Sequence, residues 1–174
     1  MPKFFHDRFS TPLGLCDLVC DEEGRLRLFG WYAQDTWRRP FAADEIVVRA
    51  DPFGLRGAFE AYFSGDAGRL DALPVVFAGS AFQNRVWQAL RAIPAGETQS
   101  YGDIAKRIDA PKAVRAVGLA NGANPIALAV PCHRVIGSNG SLTGYGGGLG
   151  RKKWLLAHEA RYAGTGLFNV RTPG

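Results

Sequence analysis

A thiol and an imidazole stand side by side in Pro131-Cys132-His133-Arg134, directly after the apolar run 126–130 and ahead of a glycine-rich stretch. The thiolate is a strong nucleophile and an imidazole can take its proton, so the pair is raw material for covalent catalysis. A cysteine that ends a buried segment and opens into a loop stands where a pocket nucleophile would. Free cysteine is also among the most buried residue types, so the tetrapeptide alone reads equally well as a structural thiol beside a surface histidine. Cys16 and Cys20, with His6, raise the question of half a zinc site. No second Cys/His pair lies nearby and both cysteines fall in strand-like apolar sequence, so core packing is the better reading and no metal is expected.

The elements that must position this pair can be read coarsely. Residues 13–20 and 26–32 alternate as two strands around the turn Asp21-Glu22-Glu23-Gly24, a hairpin. Asp51-Pro52 suits the start of a helix that carries Leu55, Phe59 and Phe63 and closes at Gly65. Ser80 can cap a helix through Phe82, Val86, Trp87 and Leu90, ended by Pro94-Ala95-Gly96. Residues 100–108 and 112–121, joined by Ala110-Pro111, form two short helices and a helix-turn-helix candidate. In the second, Val114, Val117 and Leu119 are expected to face the core. Ala113, Ala116 and Ala120 would then leave a flank with almost no bulk, from which Arg115 projects. Such a flank permits the close approach a minor-groove binder needs, although an ordinary alanine-rich buried helix fits as well. A last helix spans 151–160, and 164–174 reads as a loose tail.

The 174 residues, 47% hydrophobic, suffice for one domain or two small ones. The net charge of +5, carried mostly by arginine, favours a polyanionic partner, with nucleic acid first. An odd count of three cysteines does not make a disulfide framework and points to a reducing, cytoplasmic setting. No apolar run approaches a membrane span, and no hydrophobic export signal opens the chain.

Taken in order, several segments resemble the O6-alkylguanine-DNA alkyltransferase family. They are Phe82-Gln83 with Val86-Trp87, Ile93-Pro94-Ala95-Gly96, Ser100-Tyr101, Ala113-Val114-Arg115-Ala116-Val117-Gly118, Asn124-Pro125, residues 131–137, and Gly144-Tyr145 through Trp154 to Glu159. The resemblance is strong over 80–160 and weak before that. It implies an N-terminal ribonuclease-H-like α/β domain over 1–79. A mainly helical domain with a winged helix-turn-helix follows over 80–163, and then the tail.

The same resemblance implies the chemistry. Cys132 would attack the alkyl carbon on O6 of guanine in line, after the nucleotide is flipped out through the minor groove. His133 would act as base through a water, oriented by Glu159. Without the resemblance, Glu159 reads as an exposed helix carboxylate near Arg151 or Arg161. Asn124 would tie the helix-turn-helix to the nucleophile segment. Arg115 would enter the stack in place of the base, Tyr101 would crowd the 3′ phosphate, and Ala116 and Ala120 would meet the groove. Pro131, Tyr145, Gly146, Gly147 and Lys152 would form the pocket, with the side-chain-free Gly146 leaving the tolerated alkyl size open. The implied protein is a monomeric, single-turnover repair transferase without cofactor or metal, acting on duplex DNA carrying O6-alkylguanine, with O4-alkylthymine as a further candidate. A lesion-binding module, a cysteine hydrolase and a sequence-specific regulator are the rival readings.

Overall fold

The computed structural model describes residues 2–163, so the expected tail over 164–174 lies outside the described residues. Strands β1 (Lys3–Thr11), β2 (Gly14–Asp21) and β3 (Leu26–Gly30) form an antiparallel meander, and β4 (Glu45–Val48) adds parallel to β1, giving the order β3-β2-β1-β4. The expected hairpin is β2–β3. β1 escaped the sequence reading because buried His6 and Asp7 interrupt its apolar alternation. Their partners explain their burial. His6 Nε2 lies 2.8 Å from Asp17 Oδ1, which also accepts from Arg8 Nε, and the His6 ring stacks on Trp37. Cys16 and Cys20 are fully buried, their thiols pushed up to about 12 by burial, as core packing requires.

The free edge of β3 is used by the later chain. Leu26 N–H donates to Pro74 O, Phe29 N–H donates to Pro125 O, and Ala127 N–H donates back to Phe29 O. The apolar run that leads to Cys132 is therefore stitched to the N-terminal sheet. Helix α1 (Leu55–Phe63) covers one face of that sheet through Phe59, whose ring stacks on Phe29. It begins later than expected. Asp51, Phe53 and Gly54 all hold left-handed φ, so Pro52–Gly54 is a short 3-10 turn and Gly54, not Asp51, takes the N-cap position of α1, while Asp51 Oδ1 still accepts from the first-turn Gly57 N–H at 3.2 Å.

The second half is mainly helical: α2 (Ala81–Leu90), α3 (Tyr101–Arg107), α4 (Val114–Gly122) and α5 (Leu149–Ala163), with a two-residue parallel pair between β5 (Gln99–Ser100) and β6 (Val135–Ile136). Reciprocal capping boxes start α2 (Ser80 with Gln83) and α3 (Ser100 with Asp103), satisfying backbone donors that the first turn leaves free. The phase of α4 differs from expectation. Val117, Ala120 and Asn121 point inward, whereas Val114 and Leu119 are exposed. The Trp87 indole N–H donates to Ala120 O at 2.8 Å and helps fix that phase. One apolar core contains residues of both halves, from Phe9 and Phe29 to Val86, Ile104, Val117 and Leu155. Among the described residues, no helix is long and apolar enough to cross a membrane.

Candidate active site

After the sheet-edge contacts, the chain turns tightly: Leu128 holds φ +71° and Cys132 N–H donates to Val130 O. Cys132 then opens the 3-10 turn Cys132–Arg134 and forms part of the wall of a cavity of about 320 Å³. Trp31 and Tyr32 from the N-terminal half, Asn121 to Asn124 at the C-terminal end of α4 and just beyond it, and Tyr145 to Gly147 line the same cavity. Asn124 is pinned between two backbone groups, donating to Val130 O at 2.8 Å and accepting from Ile126 N–H at 2.9 Å, and its side chain also reaches the thiol. Asn121 Nδ2 donates to Cys132 O at 3.3 Å.

Burial pushes the Cys132 thiol up from its ordinary value; the Asn124 hydrogen bond and the Lys152 charge oppose this without overcoming it. The thiol is therefore protonated at neutral pH. Behind it lies a closed polar network. His133 Nε2 is 2.7 Å from Glu159 Oε2. Glu159 also accepts from Tyr62 Oη at 2.5 Å and from Arg134 Nε and Nη2 at 2.7 and 3.0 Å. Arg134 Nη1 donates to Ile93 O at 2.6 Å. His133, Arg134 and Glu159 are all essentially buried, so Glu159 is no exposed helix carboxylate, and its partner is Arg134 rather than Arg151 or Arg161.

The protonation states follow. Burial favours a neutral Glu159, but His133 and the Arg134 guanidinium prevail and hold its carboxyl well below the usual range. Burial outweighs Glu159 at His133 and lowers its pKa, keeping the imidazole neutral. A carboxylate only accepts, so the single imidazole proton sits on Nε2 and the Nδ1 lone pair is free. Nδ1 is buried with no hydrogen-bond partner among the described residues. This is the tautomer a general base needs.

Lys152 Nζ donates to Val135 O at 2.6 Å and Thr143 O at 2.8 Å, and its own pKa is lowered by burial. Lys152 and Pro131, expected in the pocket, are buried and are not among the lining residues; the lysine amine is committed to those carbonyls. Tyr145, Gly146 and Gly147 do line it. A Cβ on Gly147 would stand 2.7 Å from the Tyr145 ring, so a side chain there would displace that wall. Tyr101 reaches the loop, donating to Thr143 O at 3.4 Å. Arg115 and Ala116 are exposed on α4. Ala120, expected on that surface, is buried because α4 turns it toward Trp87, and it cannot meet a groove.

Tyr62, Arg134 and Asn121 had no assigned role in the sequence reading. Arg134 was visible beside His133, but nothing local marked it as buried. Tyr62 lies 97 residues from Glu159, and no sequence signal joins them. Arg151 also emerges as a clamp. It donates to Leu13 O at 3.0 Å and Gly147 O at 2.8 Å and lies over the Trp31 ring. One side chain thereby holds the pocket loop to the N-terminal half.

Residues 81–161 match the family model described as 6-O-methylguanine DNA methyltransferase, DNA binding domain. The methylated-DNA–protein-cysteine methyltransferase of Salmonella typhimurium is 44% identical over 173 residues, covering 91% of this chain and 97% of that protein. The protein of the same name from Mycolicibacterium paratuberculosis is 58% identical over 120 residues, covering 67% and 72%. The crystal structure of Mycobacterium tuberculosis OGT in complex with DNA superposes with a TM-score of 0.80 at 42% identity, covering 91% of this chain and 94% of that one.

Proposed function

Because the chain belongs to the methylated-DNA–protein-cysteine methyltransferases, it repairs DNA by moving an alkyl group from the damaged base to one of its own cysteines, and we propose that this cysteine is Cys132. The observation that carries the assignment is the fixed imidazole: Glu159 holds Nε2–H, Nδ1 is left as a free base, and the neighbouring residue is a protonated thiol at a cavity wall.

In the proposed reaction, His133 Nδ1 draws the thiol proton through a water as sulfur attacks. The S–C bond forms while the C–O6 bond of O6-alkylguanine breaks. The thiol proton ends on N1 of the released guanine, so the overall change is thiol plus alkylguanine to thioether plus guanine. Glu159 remains ionised and stabilises the imidazolium that forms transiently. Arg134 and Tyr62 hold Glu159, and Asn124 and Lys152 favour the thiolate as it develops. A thioether is a poor leaving group, so one protein repairs one lesion. Nothing in these steps calls for a cofactor.

The lesion reaches the cavity by nucleotide flipping, with Arg115 entering the stack, Ala116 against the groove and Tyr101 at the rotated backbone. The exposed face of α4 and the net charge of +5 support this arrangement on duplex DNA. We divide the chain at residues 79 and 80. The antiparallel meander with a parallel fourth strand supports a ribonuclease-H-like N-terminal domain. The α3–α4 pair, beside the small β5–β6 sheet, supports a winged helix-turn-helix. We read the working form as a cytoplasmic monomer. The test is Cys132→Ala, which is expected to bind an O6-methylguanine duplex and leave the methyl in place. Transfer at the wild-type rate by that variant overturns the assignment.

A further inference from the structure

Helix α4 presents one stripe wholly to solvent. Lys112 just before it and Arg115, Ala116, Leu119, Gly122 and Ala123 along it are all exposed, at spacings that share one face. Gly122 and Ala123, at the C-terminal end of the stripe, also line the cavity that holds Cys132. The stripe thus leads from two cations to the mouth of the reaction pocket. Its one bulky apolar member is Leu119, 73% exposed, a helical turn beyond Arg115.

A lone exposed leucine is unremarkable in itself. Its place between a cation and a reactive cavity is informative. Alanines and glycines on either side allow the helix backbone close to a partner, and the leucine rises above them as a ridge. Lys112 and Arg115 suit phosphates. Between its rows of phosphates, the minor groove of a duplex offers the apolar faces of deoxyribose, which apolar side chains can wedge apart.

We propose that Leu119 is a DNA-contacting wedge, seated in the minor groove between the step that Arg115 enters and the nucleotide held in the cavity. It packs on deoxyribose and keeps the groove open while the base is out. This inference rests on the repair reading above.

The test compares wild type, Leu119→Ala and Leu119→Met. Methyl transfer is timed from a duplex with one O6-methylguanine and from the lesion strand alone, and affinity for the undamaged duplex is measured separately. Leu119→Ala is expected to lower the duplex-to-single-strand rate ratio about 5- to 10-fold and to weaken duplex binding by a similar factor, since a leucine loses most of its apolar burial. Leu119→Met, which restores apolar bulk, is expected to recover most of both. A ratio and affinity within about twofold of wild type overturn the wedge. So does an equal loss on both substrates, which marks a structural role. Failure of the wild type to transfer from either substrate defeats the repair reading instead, and the duplex affinities still decide the wedge.

Discussion

Replacing Glu159 by glutamine removes one charge from a site where almost nothing else can adjust. The carboxylate accepts from Tyr62, His133 and two nitrogens of Arg134. An amide of the same shape must turn its NH2 toward at least one of those donors. The Arg134 guanidinium, 1% exposed, then loses its counter-ion; its other charged neighbour, Asp71, is 3.6 Å away and half exposed. Breaking a buried pair from one side costs about 3–5 kcal/mol, because a desolvated charge is left behind. For a chain of this size, each kcal/mol moves the midpoint by roughly 2–4 °C, so Tm should fall by about 6–20 °C. Urea unfolding monitored by tryptophan fluorescence gives the free energy directly. Adding Arg134→Met should cost much less in the Glu159→Gln background than in wild type, since the stranded charge goes with it. Below the variant's midpoint, where it is folded, transfer should be slower by about 10²–10⁴, because Nε2–H is no longer held and the Nδ1 base is no longer the fixed tautomer. Stability within about 1 kcal/mol of wild type would refute the buried-network argument. An unchanged transfer rate would refute the tautomer argument.

Burial depresses the His133 pKa, so the native chain refuses a proton that the unfolded chain accepts near its ordinary 6.5. Stability is therefore expected to begin falling as pH drops below that value. Glu159, also depressed, adds stability above its unfolded 4.5 that is lost as pH falls further. Transfer should accordingly hold level as pH passes down through 6.5, and a rate that halves there would mean an imidazole of ordinary pKa. Burial raises the Cys132 thiol, so labelling by iodoacetamide in the folded protein should stay slow until the pH exceeds 9.0; rapid labelling at neutral pH would indicate a preformed thiolate. Arg151→Met removes the clamp on Leu13 O and Gly147 O. It should speed proteolysis in the loop over 144–148 and slow transfer about 5- to 50-fold, with global stability lowered by only about 1–2 kcal/mol. An unaltered cleavage rate would show that the clamp does not hold the loop.

Legibility from sequence followed the range of the interactions. α2 and α3 were readable because their starts are local: Ser80 and Ser100 cap the next turn, three residues away. Cys132 and His133 were readable because they are adjacent, and the ordered motifs carried Glu159. The phase of α4 was not, since an alanine-rich helix has little apolar asymmetry; the indole of Trp87 and the inward Val117 and Asn121 decide it. That is why Leu119 and Ala120 exchanged expected places. β1 was obscured because its buried polar residues have partners elsewhere: Asp17 for His6, and Arg56 for Asp7 at 2.7 Å. The Tyr62–Glu159–Arg134 network was invisible for the same reason. Burial of a charge is set by which distant segments meet around it, and α1, α5 and the turn after Pro131 meet only in three dimensions.

In the proposed reaction Cys132 itself takes the alkyl group, once. The most direct measurement is the intact mass of the protein after incubation with a duplex containing a single O6-methylguanine, followed by peptide mapping. The expected result is a gain of one methyl group, located on Cys132 and saturating at one per chain however large the excess of duplex. A methyl found on Cys16, Cys20 or another residue, or repeated turnover that leaves the mass unchanged, would contradict it.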